Sequence, residues 1–268
     1  MRIYHLDMKI AMFKESWLRS WFRRLAAAGY DAILVEIDNK LVFPSHPGFA
    51  APDALSADHW RRLARYAKRL GMEFYPLIQT LGHMEHVLQG HDAYRPLAEI
   101  PGESYLMCPS KPETFTFIRD LIDDIYEVFD HPARIHLGGD ETRGAGTCPR
   151  CAHHPVPELL SGYLRQLAAH ALKKGMRPEF WADMMLAHPE TLTGLTPEAR
   201  LVDWLYFRDD RLSASKFFAF GSNYHEHPEW TPRQHLQHLP KSMAPLKPYL
   251  VDDRGRFDPF HGAKFLKD

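Results

Sequence analysis

Apolar runs short enough for strands alternate with amphipathic stretches at helical spacing along most of the 268-residue chain, and this switching of period marks β/α units. "RIYHLDM" reads as a first strand. It leads into "KESWLRSWFRRLAAAG", where Trp17, Leu18, Trp21, Phe22 and Leu25 recur on one helical face and Gly29 supplies the stop. "DAILVEID" is a nearly continuous apolar second strand, and "SADHWRRLARYAKRLG" a second helix with Ser56 as its cap and Gly71 as its terminator. A third strand "EFYPLIQT", a helix "KPETFTFIRDLIDDIYEVF", a fourth strand "ARIHLGG", a helix "ELLSGYLRQLAAHALKKG" and a fifth strand "RPEFWADM" follow. "RLVDWLY" and "KFFAFGSNY" read as sixth and seventh strands, and "DPFHGAKFLKD" as a last helix.

Strands that are apolar on both faces need helices on both sides of a parallel sheet. Repetition of the unit along one chain favours a TIM-type (β/α)8 barrel over an open doubly wound sheet. The eighth strand is expected to be either lacking or formed irregularly by the Pro- and His-rich tail from His227 onward. No low-complexity linker or internal repeat divides the chain, so residues 1–268 are expected to form a single domain.

Charge narrows the partners. Acids and bases are interspersed with a net charge of -1, so neither nucleic acid nor a membrane surface is an expected partner. No apolar run approaches the roughly 18–20 residues of a membrane-spanning helix. Met1 runs directly into the first strand without a leader, and three cysteines are too few and too odd for a disulfide framework. A reducing, cytoplasmic setting is the expectation.

"CPRC", Cys148 to Cys151, supplies two of the four ligands of a structural zinc site, with His153 and His154 just beyond. A single pair falls short, Cys108 reads as a small buried residue, and no metal or cofactor is expected. The histidines between His225 and His238 read as a solvated loop rather than a binding array.

Candidate chemistry gathers where strands end, which is where barrel sites form. "ARIHLGGDE" places the adjacent acids Asp140 and Glu141 after strand four, with Gly138 and Gly139 allowing close backbone approach. Asp7 and Lys9 follow strand one, Glu36 and Asp38 strand two, and Gln79 and His83 strand three. Trp181 and Asp183 end strand five, Trp204 and Tyr206 strand six, and Tyr224 and Glu226 strand seven. Aromatic faces among carboxylates and amides suit a sugar ring, whose C–H face stacks and whose hydroxyls need paired hydrogen bonds.

"HLGGDE" resembles the His-x-Gly-Gly-Asp-Glu signature of family 20 glycoside hydrolases, the β-N-acetylhexosaminidases. "PLIQTLGH" is similar to that family's Pro-Glu-Ile-Asp-x-Pro-Gly-His segment after strand three. "PLIQTLGHMEHVL" looks closer still to the hexosaminidase D branch, which is intracellular. The resemblance spans strands one to seven and implies an exo-acting enzyme that releases terminal β-linked GlcNAc or GalNAc from a glycan or glycoside. Its mechanism would be substrate-assisted and retaining, outside the usual two-carboxylate scheme. It implies Glu141 as general acid and later base, and Asp140 as the carboxylate that orients the 2-acetamido group and stabilises the oxazolinium. Trp181 and Trp204 would wall the acetamido pocket, Tyr224 would bond the acetamido oxygen and Glu226 the sugar hydroxyls, and His83 would support the acid. Asp7, Lys9, Glu36 and Asp183 complete the expected substrate-binding set.

The chain departs from the pattern in three places. The family's strand-one arginine has only Lys9 or Asp7 near its position, and lysine lacks a guanidinium's bidentate fork. Gln79 stands where an aspartate is usual. The eighth-strand tryptophan has no counterpart, which leaves a pocket open on one side or closed by a partner subunit in a homodimer. Two other readings remain: a conventional two-carboxylate glycosidase pairing Glu141 with Glu36 or Asp183, and a non-catalytic sugar-binding barrel.

Overall fold

The computed structural model describes residues 1–204, 216 and 219–268. They divide into two compact units, Met1–Phe180 with Gly194–Arg200, and Trp181–Thr193 with Leu201–Asp268. The first unit carries β1 (Ile3–Asp7), α1 (Glu15–Ala27), β2 (Ala32–Glu36), α2 (Ala57–Arg69), β3 (Glu73–Leu77), the short α3 (Glu85–Leu88), α4 (Pro112–Val128), β4 (Arg134–His136), α5 (Val156–Lys173) and most of β5 (Arg177–Trp181). With β6 (Arg200–Val202) the strands form one six-stranded sheet in chain order, and β1 to β5 pair in parallel. A doubly wound sheet reverses its order part-way, whereas a barrel does not, so the sequential order is that of a (β/α) barrel.

The helices form where their apolar spacing demands. Leu18, Phe22 and Leu25 are the buried stripe of α1, and Trp60, Leu63, Ala64 and Ala67 that of α2. Gly29 and Gly71 lie just past these helices at a φ of 78° each, the left-handed turn that ends a helix without a Cβ penalty. Ser56 occupies the N-cap position, yet its hydroxyl pairs with His59 Nδ1 at 2.8 Å rather than with a backbone N–H. Phe74, on the outer face of β3, meets Phe22, Trp60 and Phe129 at ring-centroid distances of 5.4, 6.4 and 5.7 Å, which locks three helices onto the sheet. At the start of the strands Arg134 is buried between Glu73 and Glu179, with Nη1 donating to Glu179 at 3.1 Å and the guanidinium 4.4 Å over the Tyr75 ring. This buried charge is paired and stacked, and it lies at the end of the sheet opposite the candidate chemistry.

The second unit contains α6 (Asp183–Ala187), α7 (Ser222–Glu226), α8 (Pro232–Gln237) and α9 (His261–Lys267). Its core is Ala219, Phe220, Leu246, Leu250 and Phe257. Among the described residues of the expected seventh strand no strand forms: Ala219 and Phe220 are helical and α7 follows them, while Phe217 and Phe218 lie outside the described residues. Phe220 and Tyr224 are four apart and both pack on this core, so these two aromatics serve helical rather than alternating spacing. The sixth strand stops at Val202, and the expected Tyr206 lies outside the described residues. The last helix forms as expected. The histidine-rich segment is not wholly a solvated loop: Thr231 and Gln234 build a capping box for α8, and His235 is buried, stacked 5.0 Å from Phe220. Among the described residues no helix is long and apolar enough to cross a membrane.

Candidate active site

Register brings the strand ends to one level. Asp7 pairs with Glu36, Glu36 with Leu77, and Leu77 with His136. Bonds from Met8 N to Glu36 O, Ile37 N to Leu77 O and Ile78 N to His136 O, each 3.1 Å, carry the ladder one residue further. Beyond that edge lie Lys9, Asp38, Gln79, His83, Asp140 and Glu141, the residues the sequence places after successive strands.

Two motifs interlock to hold the acids. Gly138 adopts a φ of 56°, and a Cβ there would meet the Gln79 side-chain oxygen at 2.2 Å. A Cβ on Gly82 would meet the Asp140 carbonyl oxygen at 2.7 Å. The glycines of "TLGH" and "HLGGDE" are therefore needed for one loop to lie on the other. Tyr163 of α5 braces the arrangement by donating to Thr80 O at 2.7 Å, while Thr80 Oγ1 donates to Leu137 O at 2.7 Å.

Asp140 and Glu141 both turn toward His83. Its Nε2 is 3.3 Å from Asp140 Oδ2 and 3.4 Å from Glu141 Oε2, so neither acid is an outward-facing surface carboxylate. Their side chains are 15% and 30% exposed, which leaves Glu141 the more accessible of the two. Tyr105 donates to the Glu141 carbonyl at 2.9 Å and sets its ring edge-on to His83 at 5.0 Å. Arg143 approaches Glu141 Oε1 at 3.4 Å. Asp140 Oδ1 is buried and accepts no hydrogen bond among the described residues. A buried carboxylate oxygen costs desolvation unless a donor meets it, so this atom is available to accept an N–H or O–H. Asp38, His83 and Glu141 have φ values of 37°, 57° and 46°, a left-handed conformation that is strained for residues other than glycine and that clusters at functional sites.

The hydrogen bond to Asp140 holds the His83 imidazole above its ordinary pKa, against the opposing effect of burial. A raised folded pKa means that the stabilisation is fully present below the unfolded value of about 6.5 and is lost as pH rises through the folded value. Replacing His83 by Gln is thus expected to lower the melting temperature more at mildly acidic than at alkaline pH, which thermal melts of both proteins across pH will check.

Beside the acids lies a second charged group. Glu36 accepts from His5 Nε2 and Gln79 Nε2 at 3.1 Å each, and Lys9 Nζ lies 3.5 Å from Glu36 and 3.8 Å from Asp38. Burial alone would raise the Glu36 pKa, but the bond from His5 and the Lys9 charge pull it well below the ordinary range. Burial and the Glu36 charge push Asp38 up to about 8, so near neutral pH Asp38 holds its proton while Glu36 stays ionised beside the Lys9 ammonium. Burial lowers His86, 4.0 Å from Asp38, to about 3, which keeps its ring neutral.

The expected site residues thus fall into two groups. Lys9, Glu36, His83, Asp140 and Glu141 share this cluster, while Asp7 is exposed and accepts from Lys9 N at 2.8 Å. In the second unit Trp181 is buried at the end of β5 and Asp183 opens α6. Trp204 Nε1 donates to Asp183 Oδ1 at 3.4 Å. Tyr224 leans on the core of that unit, and Glu226 is exposed. Sequence reasoning passed over Tyr105 and His86 and gave Asp38 no role. Tyr105 sits in a long loop without periodicity, whereas Asp38 is two residues past Glu36 and was open to the strand-end argument.

A family model described as glycosyl hydrolase family 20, catalytic domain, matches residues 45–215. The chain belongs to glycosyl hydrolase family 20. Within the family it is 29% identical over 223 residues to human hexosaminidase D, covering 78% of this chain and 45% of that protein. It is likewise 29% identical over 221 residues to bovine hexosaminidase D, of which it covers 64%. The family 20 chain therefore spans roughly half to two-thirds of these relatives' length. Its fold matches that of the Flavobacterium johnsoniae chitobiase with a TM-score of 0.68 at 19% identity, over 90% of this chain and 37% of the other. That likeness establishes the (β/α) barrel fold class, six strands of which are described here.

Proposed function

We propose that the chain acts as a cytoplasmic, exo-acting β-N-acetylhexosaminidase, with residues 1–268 serving as one catalytic domain that cleaves terminal β-linked GlcNAc or GalNAc with retention. The observation that carries the reading is Asp140 Oδ1, a buried acceptor without a partner among the described residues, next in sequence to the more accessible Glu141. An acetamide N–H meets the need of that oxygen, and the Asp140 charge would stabilise the cation that develops when the acetamide oxygen attacks C1. Glu141 would protonate the departing oxygen and then take a proton from the water that opens the oxazolinium. His83, shared between both carboxylates, would fix their orientation. Two inversions at C1 give net retention.

The other site residues enter by resemblance. Trp181 and Trp204 are assigned to the acetamido methyl, Tyr224 to its oxygen, and Asp7, Lys9, Glu36, Asp183 and Glu226 to sugar hydroxyls. Glu36 is a poor candidate for a free nucleophile, because His5, Gln79 and Lys9 already hold both its oxygens.

The test sets nitrophenyl β-GlcNAc, β-GalNAc and β-glucoside side by side. Turnover of the N-acetyl sugars with little on the glucoside is the expected result. Comparable rates on the glucoside would favour the two-carboxylate reading, and binding without turnover the non-catalytic one.

A further inference from the structure

The loops around the candidate active site also bring together a set of side chains that the proposed hydrolysis does not use. Glu99 and Cys108 lie in the β3–α4 loop, on facing arms of a short antiparallel clip in which Ala98 bridges Met107. Glu99 N donates to Leu106 O and Cys108 N to Leu97 O, each at 2.8 Å. Cys148 and Cys151 lie in the β4–α5 loop. Cys151 N and Ala152 N both donate to Cys148 O at 2.9 Å, a tight turn that gathers the two thiols. The four residues are buried, at 1%, 0%, 7% and 0% exposure for Glu99, Cys108, Cys148 and Cys151, and one ligand atom from each falls within 4.8 Å of every other.

Three separations within this group match those of a coordination tetrahedron. Zinc bonds of about 2.3 Å to sulfur and about 2.0–2.2 Å to oxygen put two sulfurs about 3.8 Å apart and a sulfur and an oxygen about 3.5 Å apart. Cys108 Sγ lies 3.7 Å from Cys148 Sγ and 3.5 Å from Cys151 Sγ, and Cys151 Sγ is 3.6 Å from Glu99 Oε2. The other Glu99 oxygen accepts from the N–H groups of Gly146, Thr147 and Cys148 at 3.1, 3.0 and 3.1 Å. The carboxylate is thereby oriented, with Oε2 aimed at the thiols. No basic side chain forms an ion pair with Glu99 among the described residues, so the Oε2 that faces the thiols is open to a cation bound between them.

We infer that Glu99, Cys108, Cys148 and Cys151 form a structural zinc site that staples the β3–α4 loop to the β4–α5 loop. Three thiolates and a carboxylate in a closed tetrahedron suit zinc over harder ions. Cys108 and Glu99, not the exposed His153 and His154, complete the Cys-x-x-Cys pair. The same two loops carry His83 and Tyr105 on one side and Asp140 and Glu141 on the other. Met107 N to Leu81 O and Met84 N to Tyr105 O, at 2.9 and 3.0 Å, tie the clip to the segment that presents His83.

The experiment measures metal in the intact chain purified under reducing conditions. Equimolar zinc by elemental mass spectrometry is expected. Its replacement by cobalt should give sulfur-to-metal charge transfer and the intense visible bands of a tetrahedral thiolate site. C108S and C148S should lose the zinc or release it to a chelator far faster than the parent, with a lower melting temperature. E99Q should also release it faster, and the double variant H153A/H154A should keep it. A folded, metal-free parent with three titratable thiols would overturn the inference. So would a metal-free parent two hydrogens lighter through a Cys108–Cys151 disulfide, or loss of zinc in H153A/H154A with retention in E99Q. None of these readouts depends on glycosidase activity.

Discussion

Replacing Glu141 by Gln is expected to lower kcat/KM by about 10²–10⁴-fold on glycosides with poor leaving groups, the usual worth of a positioned general acid. Glutamine keeps the shape and still meets His83, so the fold and sugar binding should persist. The loss should shrink on aryl glycosides whose phenols are already acidic, because such a leaving group departs without a proton. A series of aryl N-acetylglucosaminides with graded leaving groups checks this. A uniform loss across the series would mean that Glu141 supports the site without donating the proton.

The second large effect is expected at Asp140. Asn preserves the volume but removes the negative charge and turns one acceptor into a donor, where the proposed mechanism has an acetamide N–H accepted. A loss of about 10²–10³-fold is the scale for removing one preorganised electrostatic partner of a transition state. It should fall on kcat, because the developing cation exists only after attack on C1. Azide should not rescue the variant, since the proposed nucleophile belongs to the substrate. Azide rescue with formation of a glycosyl azide would instead assign Asp140 or a neighbour as an enzyme nucleophile. Melting curves of both variants will separate chemistry from folding.

Much of this arrangement was open to a reader of the sequence. Continuous apolar runs such as "DAILVEID" and amphipathic stretches such as "SADHWRRLARYAKRLG" placed strands and helices to within a few residues, because each meets only one periodicity. The strand-end rule then named Lys9, Glu36, His83, Asp140 and Glu141, which lie in one cluster beyond the strand ends. "KFFAFGSNY" misled because a short aromatic run satisfies strand and helix alike, and the packing of Phe220 and Tyr224 decides between them only in three dimensions. The interlock of Gly82 and Gly138 with the facing loop, and the seating of Tyr105 on His83, are long-range contacts that no local pattern encodes. The same holds for Cys108 and Glu99. Forty and forty-nine residues respectively separate them from Cys148, so the short Cys-x-x-Cys motif stood half complete until the fold supplied its partners.

The measurement that bears most directly on the acetamido mechanism is inhibition by the thiazoline derived from GlcNAc, a stable mimic of the bicyclic intermediate. Competitive inhibition far tighter than by GlcNAc itself, and largely abolished in Asp140→Asn, is the result expected if Asp140 meets the charged acetamide. Inhibition no stronger than that of free GlcNAc, in an enzyme that turns over N-acetylglucosaminides, would contradict it.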